Sequence, residues 1–229
     1  MTGFFAFAWD SLPALLDGAV VALGLWVLAM ILGFVVALGL TWCRVYGNRV
    51  LYGLATAYVE VFRGTPMIVQ MFVIYLGLPD LGIVMSSFAA ATVAMAFNSA
   101  AYQAEYFRGA IQSIPSGQMV AARAIGMSRF DAVRTVVLPQ AMRRVIPQWS
   151  NEAILELKFT SIAYAISVNE ITSHAYEIGY STFRFFEIFI VAAVIYLAMT
   201  TVVAQVLDVI DRRVRVPGLG AQAAERAGA

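Results

Sequence analysis

The residues of this chain that could do chemistry lie inside its apolar stretches. Glu60 and Arg63 fall in the middle of the run 51–78, together with Pro66. Three apart on a helix, they share one face and can pair with each other. Asn98 sits deep in the run 83–102, and Glu156, Lys158, Thr160 and Ser161 interrupt the run 152–169. Polar groups in a lipid-spanning helix are costly, which makes each a functional candidate. Each also has a plainer reading. Glu60 and Arg63 could be a buried pair that fixes packing. Asn98 could hydrogen-bond between helices, and Thr160 and Ser161 could bond back to their own helix. The other reactive side chains are sparse, with one histidine, His174, and one cysteine, Cys43. One cysteine forms no internal disulfide or metal cluster. His174 falls in an expected loop, where a solvated surface role outweighs metal ligation. There is no glycine-rich Lys-Ser/Thr phosphate loop, and a membrane enzyme would need a denser cluster of His, Asp, Glu or Cys.

These residues must be positioned by membrane helices. The 229 residues are 61% hydrophobic and 13% charged, against roughly 25% charged in soluble domains. That much apolar surface exceeds what one soluble core hides, and a net charge of +1 gives no field for nucleic acid. A bilayer needs about 20 apolar residues per helix. Five runs qualify: 19–42, 51–78, 83–102, 152–169 and 186–210. Residues 1–18 carry Asp10 and Asp17 but no Lys or Arg, so they lack a signal peptide's basic start and the first run is expected to stay in the membrane. Arginines concentrate in 43–50, 103–151 and the segment after 210, whereas 1–18 and 79–82 have none and 170–185 has only Arg184. Basic loops stay cytoplasmic. The expectation is an all-α integral membrane protein of five transmembrane helices, N-terminus outside and C-terminus cytoplasmic. Residues 1–216 form one transmembrane domain, followed by a Gly/Ala-rich, disordered tail at 217–229.

The segment 103–151 is too long for a simple connector. Ile114-Pro115-Ser116-Gly117 reads as a turn. A helix should run from Gln118 to a stop at Gly126, and Ser128 should cap a second helix over 129–138, ended by Pro139. Such a projecting hairpin suits docking to a soluble partner, or lying on anionic lipid. Tyr176, Tyr180, Phe183, Phe185 and Phe186 read as an interfacial aromatic belt.

Several spaced motifs carry a resemblance. Ala121-Ala122-Arg123-Ala124-Ile125-Gly126, followed by Val136-Val137-Leu138-Pro139, resembles the "EAA" loop of ABC importer permeases. Phe62-Arg63-Gly64-Thr65-Pro66 with Gln70, Asn98-Ser99-Ala100-Ala101-Tyr102, Glu105 through Ile111, Pro139-Gln140-Ala141, Pro147, and Asn151-Glu152 leading into Lys158-Phe159-Thr160-Ser161 look like the polar amino-acid permease family. The resemblance spans roughly 50–210. It implies the type I importer permease fold in a bacterial inner membrane. It also implies an ATPase dimer, a second permease subunit, an external amino-acid-binding protein, and surrounding lipid. ATP and magnesium would sit on the ATPase, with no cofactor in this chain, and the permease itself would not hydrolyse ATP. The EAA loop, including Ala121, Ala122, Arg123, Ala124, Gly126, Leu138 and Pro139, would dock into the ATPase. The substrate path would take in Asn98, Arg63, Glu60, Phe159, Thr160 and Ser161, with Arg63 approaching an amino-acid carboxylate and Asn98 offering an amide to its backbone groups.

Two positions depart from the family pattern. Val120 stands where the loop begins with Glu, and Phe159 stands where many relatives have Asp. Phe159 offers cation–π attraction in place of an ion pair, which suggests a heterodimer whose other permease supplies the acid. A secondary transporter or channel working without an ATPase is the alternative, although no internal duplication of the secondary-transporter kind is visible.

Overall fold

A computed structural model describes residues 3–214, and within them every regular element is helical. The expected tail at 217–229 lies outside the described residues. The first helix, α1 (Phe4–Tyr46), has 43 residues and is about 65 Å long. It therefore exceeds the roughly 30 Å hydrocarbon core and begins well before the expected span. Its first turns are helical because they are tied down. Phe7, Leu15, Ala19 and Ala22 bury against Ile171, Ala175, Ile188 and Ala192. At Gly18 the backbones touch, since a Cβ there would lie 2.7 Å from the Glu170 carbonyl carbon and the Ile171 nitrogen.

Asn48 caps α2 (Arg49–Gly64), accepting from the amides of Val50 and Leu51. The helix stops at Gly64-Thr65-Pro66 and resumes as α3 (Met67–Phe72), and the chain bends by 108° there. Proline has no N–H to continue the ladder and clashes with the carbonyl four residues back, so the run expected as the second span is interrupted by a sharp bend. The central element is α4 (Ser87–Gln112), started by the Ser86 hydroxyl. Ala90, Ala91, Ala94, Ala100, Ala101 and Ala104 are all fully buried. Such small side chains let α1, α2 and a later helix, α7 (Leu138–Phe159), approach closely.

Beyond α4 a short projecting segment begins. Helix α5 (Ser116–Ala124) ends at Gly126, whose φ is +89°. The Met127 N–H bonds to the Ala122 carbonyl and the Gly126 N–H to that of Arg123, a Schellman stop. The Ser128 hydroxyl caps α6 (Arg129–Ala132), as expected. Pro139, however, does not end the helix. The chain passes through a π-helical turn, Val133–Val137, directly into α7 (Leu138–Phe159). In this wide turn the Leu138 N–H reaches back to Val133, which accommodates the missing donor and ring bulk of Pro139. The fourth helix of the expected set thus starts at Leu138 and not near 152.

A 3₁₀ stretch, Thr160–Ile166, follows α7 and ends at Ser167 in the left-handed region. The expected external loop at 170–185 is largely helical, forming α8 (Ile171–Thr182), and α9 (Phe185–Val214) closes the bundle. His174 is therefore a helical residue, with its side chain 24% exposed and 3.7 Å from Glu177. Of the expected aromatic belt, Tyr176, Tyr180 and Phe185 join a cluster in which Tyr176 stacks on Tyr164 at 5.0 Å and meets Phe185 and Phe189 edge-on, whereas Phe183 and Phe186 are exposed. Helices α1 and α9 are long and apolar enough to cross a membrane alone, and the bent α2–α3 pair is a third candidate. Helix α4 is largely buried among the others, α7 buries one face, and both are less uniformly apolar.

Candidate functional site

The break between α2 and α3 leaves backbone carbonyls without helical partners, and two side-chain amides take them up. Gln70 Nε2 donates to the carbonyls of Phe62 (2.8 Å) and Thr65 (3.0 Å) and reaches Thr65 Oγ1 at 2.8 Å. Asn98 Nδ2 donates to the same Phe62 carbonyl (3.0 Å) and to Gln70 Oε1 (3.0 Å). Asn98 is buried, so its amide is committed to holding the bend. This is the interhelical hydrogen bond weighed from the sequence.

Glu60 and Arg63 behave differently. Both are exposed on this chain, and among the described residues they form no ion pair with each other. Arg63 instead lies over the Tyr102 ring, 5.3 Å from its centroid. Behind it a polar seam enters the bundle between α4 and α7. The Tyr106 hydroxyl donates to Glu152 Oε2 (3.3 Å) and the Ser99 hydroxyl to Glu152 Oε1 (3.4 Å). Gln103 donates to Ser99 Oγ (3.0 Å) and accepts from the Trp149 indole (2.8 Å). Arg63 also lies within electrostatic reach of Glu152. One turn further along α7, Glu156 is fully buried, and neither carboxyl oxygen has a partner among the described residues.

The stretch 159–161 faces inward or folds back on itself. Phe159 is partly buried and packs against the core cluster that includes Leu25, Met67, Met71 and Met95. The hydroxyls of Thr160 and Ser161 donate to the carbonyls of Leu157 (2.7 Å) and Lys158 (2.8 Å), and Thr160 Oγ1 lies 3.4 Å from the Tyr196 hydroxyl. Tyr196 in turn donates to Glu170 (2.7 Å), whose carboxyl also caps α8 by accepting from the amides of Thr172 and Ser173.

The basic end of the bundle has its own clamp. Glu105, past the end of the third expected span, accepts from Arg44 of α1 (2.9 Å) and from Arg108 Nε (2.9 Å). The Arg108 hydrogen bond, aided by the charge of Arg44, holds the Glu105 carboxyl below the usual carboxylate range. Arg144 of α7 donates to the Ser113 carbonyl (2.6 Å), fixing the root of α5. Helix α5 stands out from the body. Ala122 is buried, whereas Ala121, Arg123, Ala124 and Gly126 are exposed, as are Leu138 and Pro139 at the far side of the element.

Sequence reasoning picked out Asn98, Arg63 and Glu60 but assigned no site role to Glu152, Gln103, Glu105 or Glu170. The available signal was spacing. Ser99 and Gln103, and likewise Glu152 and Glu156, are four apart on helices otherwise rich in small or apolar residues, which puts each pair on one face.

The family described as "Binding-protein-dependent transport system inner membrane component" matches residues 29–216. The octopine transport system permease protein OccM of Rhizobium radiobacter is 40% identical over 90% of this chain and 88% of its own length. The glutamine transport system permease protein GlnP of Escherichia coli K12 is 39% identical over 91% of this chain and 96% of its own. A solved structure titled as an amino acid ABC transporter with histidines superposes with a TM-score of 0.87 at 35% identity, covering 93% of this chain and 99% of that one.

Proposed function

The chain belongs to the family of binding-protein-dependent transport inner-membrane components, and we propose that it is the permease subunit of an ATP-driven importer for a polar amino acid or an opine. It is a multi-pass protein of the inner membrane. The names of its relatives, which include octopine and glutamine permeases, support that substrate class. A secondary transporter or channel is not favoured for a member of this family.

The observation that carries the coupling role is the projecting element at the basic end. It exposes Val120 (66%) on α5 and Ile125 (80%) at its glycine stop. Apolar side chains on an exposed, glycine-terminated helix suit insertion into a cleft of a soluble partner. That partner is the ATPase, which carries the ATP and magnesium. ATP-driven closure of its two copies would move α5 as a rigid body and switch the side to which the path opens. Val120, in place of the family's Glu, makes this contact apolar at its first position. The arginines gathered at this end support five spans with this end cytoplasmic and the N-terminus outside.

Glu60 and Arg63 support a path along α2. Two charged side chains exposed on the outside of a membrane helix face water or another subunit, not lipid. A second permease chain packing on this face would enclose them, with Arg63 available to a substrate carboxylate. Because Phe159 packs inward, this chain offers no acid at that position, and a distinct second permease supplies it. Asn98, Thr160 and Ser161 support the path indirectly by fixing the helices that border it.

The test is purification of the chain from its native membrane in mild detergent, with partners identified by mass spectrometry. Recovery of a soluble ATPase and a second related permease is expected. Absence of an ATPase under conditions that preserve such assemblies would overturn the proposal. An ATPase with two copies of this chain alone would remove only the heterodimer.

A further inference from the structure

We propose that the groove between the end of α1 and the α6–α7 turn holds one anionic phospholipid, its acyl chain in the groove and its phosphate on Arg129 and Arg134. The groove has a volume of about 220 Å³, room for a stretch of one acyl chain and not for a whole lipid. Leu38, Trp42, Phe107, Leu138, Met142 and Val145 line it, giving an almost wholly apolar wall. Trp42 and Tyr46 pack against each other at 5.0 Å on one side, the amphipathic rings expected at headgroup depth.

The groove continues into a second hollow that shares Trp42, Tyr46, Val133 and Leu138 and adds Arg129, Phe130 and Arg134. Both arginines are exposed. Among the described residues neither forms an ion pair, and the nearby Asp131 is engaged by its own capping hydroxyl, Ser128. Arg129 opens α6, Arg134 sits within the π-helical turn Val133–Val137, and both border the same hollow. Guanidinium groups recognise phosphate by paired hydrogen bonds. An apolar cleft with two free guanidiniums at its mouth matches a lipid better than a soluble anion, which would leave the cleft unfilled. It also matches a lipid better than an acidic protein segment, which would bring charge into an apolar wall. The inference rests on the proposed orientation only in assigning the lipid to the cytoplasmic leaflet.

The test is native mass spectrometry of the intact assembly, titrated separately with phosphatidylglycerol and phosphatidylcholine. Saturable phosphatidylglycerol binding is expected, with weaker phosphatidylcholine binding. In the Arg129→Gln/Arg134→Gln variant, phosphatidylglycerol binding should weaken about thirtyfold, equivalent to about 2 kcal/mol, while phosphatidylcholine is unchanged. Met142→Trp, which fills the groove, should weaken both lipids. Equal affinity for the two lipids, or phosphatidylglycerol binding untouched by either variant, would sink the idea. Should the double variant fail to assemble on gel filtration, Arg134→Gln alone and Met142→Trp decide the matter. An assembly that contains the ATPase but takes up no lipid ends this inference and leaves the importer intact. Lipid binding to a chain that recovers no ATPase does the reverse.

Discussion

Asn98 on α4 and Gln70 on α3 meet at 3.0 Å, and both amides converge on one backbone carbonyl, that of Phe62, at the end of α2. The bend is thereby locked from two sides. Asn98→Ala should lower the stability of the assembly by about 1–2 kcal/mol, and Gln70→Ala, which frees more acceptors, by about 2–3 kcal/mol. Thermal unfolding in detergent checks the order. If Asn98→Ala left stability intact but abolished uptake, Asn98 would be a substrate ligand and not a lock.

Glu156 buries a carboxyl group without a hydrogen-bond partner among the described residues. An unmet polar group in a packed interior costs about 1–3 kcal/mol, and an apolar replacement of similar shape removes that cost. Glu156→Leu should therefore raise the melting temperature, with Glu156→Gln closer to wild type. A fall in melting temperature for Glu156→Leu would mean that the carboxyl has a partner in the assembled protein.

Gly18 tolerates no side chain, because a Cβ would sit 2.7 Å from the backbone of Glu170 and Ile171. Gly18→Ala must push α1 from α8, and overpacking of this kind costs about 1–3 kcal/mol. Reduced yield of assembled complex is the expected result. Gly24→Ala is the control, since a Cβ at Gly24 meets only Phe88 at 3.8 Å.

Glu105 sets a pH dependence. Its folded carboxyl titrates below the ordinary value of 4.5, chiefly through the hydrogen bond from Arg108. A depressed carboxylate contributes stability above its unfolded value and loses it as pH falls through the folded one. Wild type should thus be more stable than Glu105→Gln at about pH 7, with the gap closing below about pH 4.5. Melting curves of both proteins across that range provide the measurement. A constant gap would remove the charge from the explanation.

Much of the helical order was legible from charge and hydropathy, because lipid forces long apolar runs and arginines gather at one end. The Schellman stop at Gly126 and the Ser128 cap were legible too, since both are local. What escaped depends on tertiary contact. Residues 4–18 look like a loop until α8 and α9 bury Phe7 and Leu15. Pro139 looks like a terminator until a π-helical turn absorbs it. Glu60 and Arg63 have pairing spacing, yet Arg63 turns to Tyr102, a partner on another helix that spacing within α2 cannot reveal. Asn98 stands out in the sequence as a polar group in an apolar run, but its partners lie 36 and 28 positions away.

The length of α1 has a mechanical consequence. One uninterrupted helix joins the Glu105 clamp at its Arg44 end to the α8 contact at Gly18. It acts as a stiff lever resting on α4. A tilt of about 5° around its midpoint displaces each tip by about 3 Å in opposite directions. Motion imposed at the arginine-rich end would therefore arrive at Gly18, which lies closer to the pivot, reversed in sign and reduced to about a third.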